Sequence, residues 1–152
     1  MGWFCMSVAK PPVSAPAEWI KYAEGDLRVA KAGMRSKDPA YATICFLCQG
    51  SGEKFLKAFL IAQGWELEKT HDVKKLLKYC QTFNPAFARL EMEAEILNTY
   101  ITAGRYPGFF DQEYITHEEA QEAMKATKKI RLLVKKLLDV SQDGQPGLFQ
   151  SQ

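Results

Sequence analysis

Apolar residues recur along most of this chain at spacings of three and four, the period that gathers them on one face of an α-helix. The first stripe is Trp19, Ala23, Leu27, Ala30 and Met34, opened by Ser14 and Pro16. A second, opened by Asp38-Pro39 with a capping carboxylate and a proline at the first helical position, carries Tyr41, Ile44, Cys45, Cys48, Gly52, Phe55 and Phe59. Phe46, Leu56 and Leu60 thin its wet side, which predicts a central helix. Thr70 with Asp72 opens a third helix and Asn84-Pro85 a fourth, whose stripe is Phe87, Leu90, Ala94, Leu97 and Ile101. Thr116 and Glu119 form a capping box before a fifth, which turns Ala120, Ala123, Met124, Thr127, Ile130, Val134 and Leu137 inward and most of its lysines outward.

Strand signals are nearly absent, so the fold class is all-α, an up-and-down helical bundle of about five helices. It is antiparallel if the connections near Lys37, Lys69 and Asn84 each reverse the chain. The bundle is expected over residues 14–140, after a flexible segment 1–13 and before a polar, disordered tail 141–152. Gly50 and Gly52 each cost about 1 kcal/mol relative to alanine inside a helix. Gly52, in mid-stripe, therefore predicts the close approach of another helix.

One further step of four beyond Ile101 lands on Arg105, in the run Gly104-Arg105-Tyr106-Pro107. A guanidinium on the line of a buried face needs a carboxylate, carbonyls, a partner subunit or a phosphate close by.

Composition narrows the picture modestly. A chain of 152 residues forms one domain with a single core, and its 47% hydrophobic and 25% charged content is ordinary for a globular protein. A net charge of +2 does not by itself point to nucleic acid. No segment is apolar for long enough to be a signal peptide or membrane anchor, so a soluble cytoplasmic protein without membrane contact is expected. Cys45 and Cys48 form a Cys-x-x-Cys pair inside a helical stripe, with no second pair and no nearby histidine. Small core residues are the expectation, ahead of zinc or redox chemistry, and neither metal nor cofactor is implied.

Four clusters stand out: Trp19 with Asp26-Leu27, Gln49 with Glu53-Lys54, Thr70-His71-Asp72, and Arg105-Tyr106-Pro107. In this order and on these helices they resemble the HEPN family of small helical domains, from about Trp19 to Leu138. The resemblance implies a short up-and-down bundle that forms homodimers. It also implies a binding partner of a small nucleotidyltransferase, as in two-component toxin–antitoxin systems. Nucleotide or RNA is the implied ligand, with Arg105, Tyr106, His71, Glu53 and Gln49 as candidate binding residues.

Some HEPN proteins are metal-independent endoribonucleases marked by an arginine and, four to six residues later, a histidine. Here the first histidine after Arg105 is His117, across a loop and on a new helix. Enzyme activity is therefore open and no catalytic residue is assigned. A ribonuclease with a non-standard histidine, His71 or His117, is the alternative, and a ligand-free helical scaffold is a third.

Each candidate also has a plainer role. Gln49 and Glu53, four apart, share a helix edge as a boundary pair, or Glu53 pairs with Arg105 or a cation across a dimer seam. His71 bonds locally in a first turn, His117 is solvated after a cap, and Tyr106 packs beside a turn. Lys54 and Lys57 are expected in water on the far side of their helix. The lysines of the last helix form a solvated face, or a phosphate-binding one whose affinity falls with salt.

Overall fold

The computed structural model describes residues 15–103 and 115–143, with side chains as far as 139. Helices α1 (Pro16–Met34), α2 (Tyr41–Ala62), α3 (Val73–Phe83), α4 (Glu91–Asn98) and α5 (His117–Asp143) make up the bundle, with a 3-10 segment, Pro85–Leu90, before α4. No strand occurs among the described residues. The helical backbone of α5 continues past position 140, where the sequence pattern ends the bundle.

Contacts set the direction of each helix. Gly33 meets Ile44, the Ser51 hydroxyl donates to the Ala23 carbonyl at 2.8 Å, and Lys57 lies over Trp19, so α1 and α2 are antiparallel. On α5, His117 meets Tyr41, Met124 meets Cys48 and Ile130 meets Gly52, so α5 runs with α2. Helix α4 returns against both, with Leu97 at Gly52 and Glu93 bonded to Lys129.

The chain reverses near Lys69, but it does so twice. After α2 it turns at Gly64, whose φ of 87° lies in the left-handed region open to glycine, while Trp65 N–H bonds back to the Leu60 carbonyl. The non-helical stretch then runs back along α2 until the His71 carbonyl accepts from Gln49 Nε2 at 3.0 Å. Helix α3 starts there and runs with α2, reaching Leu56 at Cys80. One upward leg of the bundle is thus a loop, and that loop brings His71 to the middle of α2.

Caps follow the sequence in three of five places. Asp72 Oδ1 accepts from Lys75 N–H at 3.0 Å and Asn84 Oδ1 from Ala86 N–H at 2.9 Å. Thr116 and Glu119 close their capping box from both sides, at 2.7 and 3.1 Å. The first two helices differ. Their N-cap positions are Ala15 and Ala40, neither with a side-chain cap, so Asp38 sits outside α2 and Ser14 lies outside the described residues.

The fourth stripe changes period at both ends. Phe87 and Leu90, three apart, fall on one side of a 3-10 turn, and both are buried. Beyond Asn98 the buried positions are Tyr100 and Ala103, joined to Leu97 by successive three-residue hydrogen bonds of 3.0 and 3.1 Å. Ile101 is only half-buried. The helical phase that would carry the stripe to Arg105 is therefore lost, because the chain leaves the α-helix before reaching it. Arg105 and Tyr106 lie outside the described residues.

Cys45, Cys48 and Cys80 are buried free thiols. Burial pushes the Cys45 and Cys48 thiols up to about 12, so neither is a thiolate at neutral pH. They pack as small core residues, with Cys48 Sγ 3.3 Å from Met124 Sδ.

A Cβ added at Gly52 would sit 2.6 Å from Leu97 Cδ1, which is fully buried, whereas one at Gly25 would meet nothing within 4 Å. Gly52→Ala is expected to destabilise the protein by about 1–3 kcal/mol despite its better helix propensity. Gly25→Ala should stabilise it by roughly 0.5–1 kcal/mol. Urea denaturation of the two variants checks this, and equal stabilisation would remove the close approach of α4.

Candidate functional site

Three of the four sequence clusters meet at one cleft. Trp19 and Asp26 reach it from α1, Gln49, Glu53, Lys54 and Lys57 from α2, and Lys69 and His71 from the returning loop. Their spacings explain why. Positions 49, 53 and 57 are successive steps of four along one edge of α2, and antiparallel α1 lays Trp19 beside the last of them. The cleft holds about 420 Å³, within the range of small-molecule sites.

Its floor is built on the Glu53 carboxylate, whose side chain is only 8% exposed. Lys57 Nζ donates to Oε1 at 2.7 Å and Gln49 Nε2 to Oε2 at 3.1 Å. The His71 ring places Nδ1 at 3.2 and 3.1 Å from the two oxygens. Burial alone would raise the Glu53 carboxyl, but the bonds and charges of Lys57 and His71 outweigh it and hold the group below the ordinary glutamate value. An ionised carboxylate only accepts, so His71 Nδ1 carries a proton toward it. The same chain of contacts continues to α1, where Lys57 Nζ lies 5.5 Å from the centre of the Trp19 ring.

Gln49 and Glu53 are thus the hydrogen-bonded pair their spacing predicts. These four contacts engage both carboxylate oxygens from within the chain, while Arg105, the alternative partner, lies outside the described residues. His71 is bonded across to α2 rather than within its own turn. Lys57 corrects an expectation: it is 4% exposed rather than solvated, because four residues from Glu53 places it on the same edge. That spacing was the signal that would have found it. Lys54 is not free in water either, since its ammonium bonds to Asp26.

His117 stands elsewhere. It is exposed, as expected, but its Nδ1 lies 3.2 Å from the Tyr41 hydroxyl, ring edge to face. Tyr41 and Glu53 are separated by roughly 18 Å of α2, so within one chain the two histidines do not meet at one phosphate. Among the described residues no group of three or more histidines, cysteines or carboxylates is placed to hold a metal ion. No described helix is long and apolar enough to cross a membrane.

A group whose folded-state value is lowered adds stability above its ordinary value and loses it as protons bind. Stability is therefore expected to fall as the pH drops below about 4.5, and Glu53→Gln should flatten that slope in denaturant titrations. At pH 7, Lys57→Ala, which strands the buried carboxylate, is expected to cost about 3–5 kcal/mol. An identical acid slope in wild type and Glu53→Gln would show that Glu53 is not the group responsible.

The profile of the HEPN domain matches residues 16–137. An archaeal HEPN homologue, ST0689, is 32% identical, and the match covers 80% of this chain and 96% of that one with a TM-score of 0.65. TT1696 from Thermus thermophilus is 25% identical over 81% of this chain and 98% of its own, also with a TM-score of 0.65. No curated protein matches. With the profile running from the start of α1 well into α5, the chain belongs to the HEPN domain family.

Proposed function

We propose that this HEPN domain is a binding module whose cleft takes a nucleotide or a residue of single-stranded RNA. The observation that carries this reading is the line Trp19–Lys57–Glu53–His71 across the cleft floor. An aromatic face at one end offers a stacking surface for a base. At the other end the imidazole, its Nδ1 bonded to Glu53, presents Nε2 to a ligand hydroxyl. In the same reading the domain works as a homodimer with a nucleotidyltransferase, in a toxin–antitoxin-type pair in the cytoplasm. Family membership supports that part.

A second reading, the metal-independent ribonuclease, has one observation in its favour. A histidine oriented by a buried carboxylate is the arrangement a general base requires. His71 fills that role better than His117, which is bonded to Tyr41.

Titration of the full chain with AMP and with a short single-stranded RNA, followed by calorimetry, tests the binding reading. Trp19→Leu and Arg105→Ala are each expected to weaken binding about tenfold. Unchanged affinity in both variants, or no binding by wild type, would overturn it. RNA cleavage that is lost in His71→Ala and kept in His117→Ala would establish the second reading. Light scattering gives the dimer, and co-purification with a nucleotidyltransferase encoded beside it gives the partner.

A further inference from the structure

On the other side of the bundle, the last turn of α1 and the first half of α5 enclose a second groove of about 460 Å³. Among the described residues, Lys31, Arg35, Lys125 and Lys128 line it and no carboxylate does. None of these four cations is in an ion pair among the described residues. Neighbouring cations on α5 are treated differently by the fold. Lys129 is bonded to Glu93, and Arg131 and Lys135 share Glu24.

The helix dipole does not account for the cluster. It favours Lys31 and Arg35 at the end of α1, but Lys125 and Lys128 stand in the N-terminal half of α5, where a cation gains nothing from it. Four like charges around one groove repel each other, and that repulsion is relieved when an anion of several charges enters. We infer that this groove is a site for a short chain of phosphates, the size of a triphosphate.

Length argues for a short chain over a polynucleotide backbone. The cations span about one turn on each helix, roughly 5–6 Å. Past Lys128 the basic line meets Arg131 and Lys135, already neutralised by Glu24, and the first turn of α5 is acidic, with Glu118 and Glu119. A longer polyanion would run into carboxylates at both ends. Met34 and Met124 also line the groove, and their adaptable side chains give a base or other apolar group attached to the phosphates somewhere to rest. The first cleft is poorly suited to this task, because Lys54 and Lys57 already hold Asp26 and Glu53.

Calorimetry with inorganic tripolyphosphate on the full chain tests the site, because this probe carries no base and offers Trp19 nothing to stack on. Saturable binding that weakens with salt is expected. The Lys125→Gln/Lys128→Gln and Lys31→Gln/Arg35→Gln pairs should each weaken it at least about tenfold, and Lys136→Gln should not. All of these residues are exposed, and an unchanged thermal melt confirms that each variant folds. ATP should compete with tripolyphosphate for the groove. No saturable binding, or equal binding by wild type and both double variants, would overturn the proposal. So would binding of a single-stranded oligonucleotide that requires the four cations while tripolyphosphate does not.

Discussion

The Glu53 carboxylate has lost nearly all its water, and three elements of the bundle are arranged around what replaces it. An uncompensated charge at that depth would be costly, and breaking such a pair from one side is far worse than never having had it. Lys57 and Gln49 answer from the same helix edge, and His71 answers from the loop. Lys57 in turn rests on Trp19 of α1. The returning loop between α2 and α3 has no helical hydrogen bonding of its own, so its bonds to Gln49 and Glu53 help fix where it lies. Satisfying one buried carboxylate therefore also shapes a cleft.

The same logic separates the two faces of the molecule. Around the cleft, Lys54 and Lys57 are matched by Asp26 and Glu53 at short range, which weakens the field and defines the geometry, while Lys69 is unpaired among the described residues. Across the bundle, the four cations of the groove between α1 and α5 have no carboxylate partner among the described residues. A site of the first kind selects by shape and hydrogen bonding, and one of the second kind selects by charge. The central helix α2 lies between them, contributing Glu53 to one side and packing against both walls of the other.

Most of the fold was legible because helix periodicity and capping are local. The stripes on α1, α2 and α5, the caps at Asp72 and Asn84 and the capping box at Thr116 all follow from residues within a few positions of one another. Gly52 was legible for a related reason: a residue with a propensity cost in mid-stripe has to be there for space, and Leu97 fills that space. The fourth stripe was misread beyond Leu97. Spacings of three and four look alike over two steps, and the tightening to three-residue turns at Tyr100 and Ala103 has no local marker. Arg105, the next step of that extrapolation, lies outside the described residues.

By itself the sequence determined the helices, their buried faces, the family and the residue types around Gln49, Glu53 and His71. Only the tertiary structure decided that those residues meet, that Lys57 is buried with them, that His117 stands apart with Tyr41, and that four cations from α1 and α5 share a groove. The physical reason is range. A hydrogen bond within one helical turn is written in the spacing of residues. The bond from His71 to Glu53 depends on a loop that reverses twice, and the grouping of Lys31 with Lys128 depends on two distant segments packing against a third.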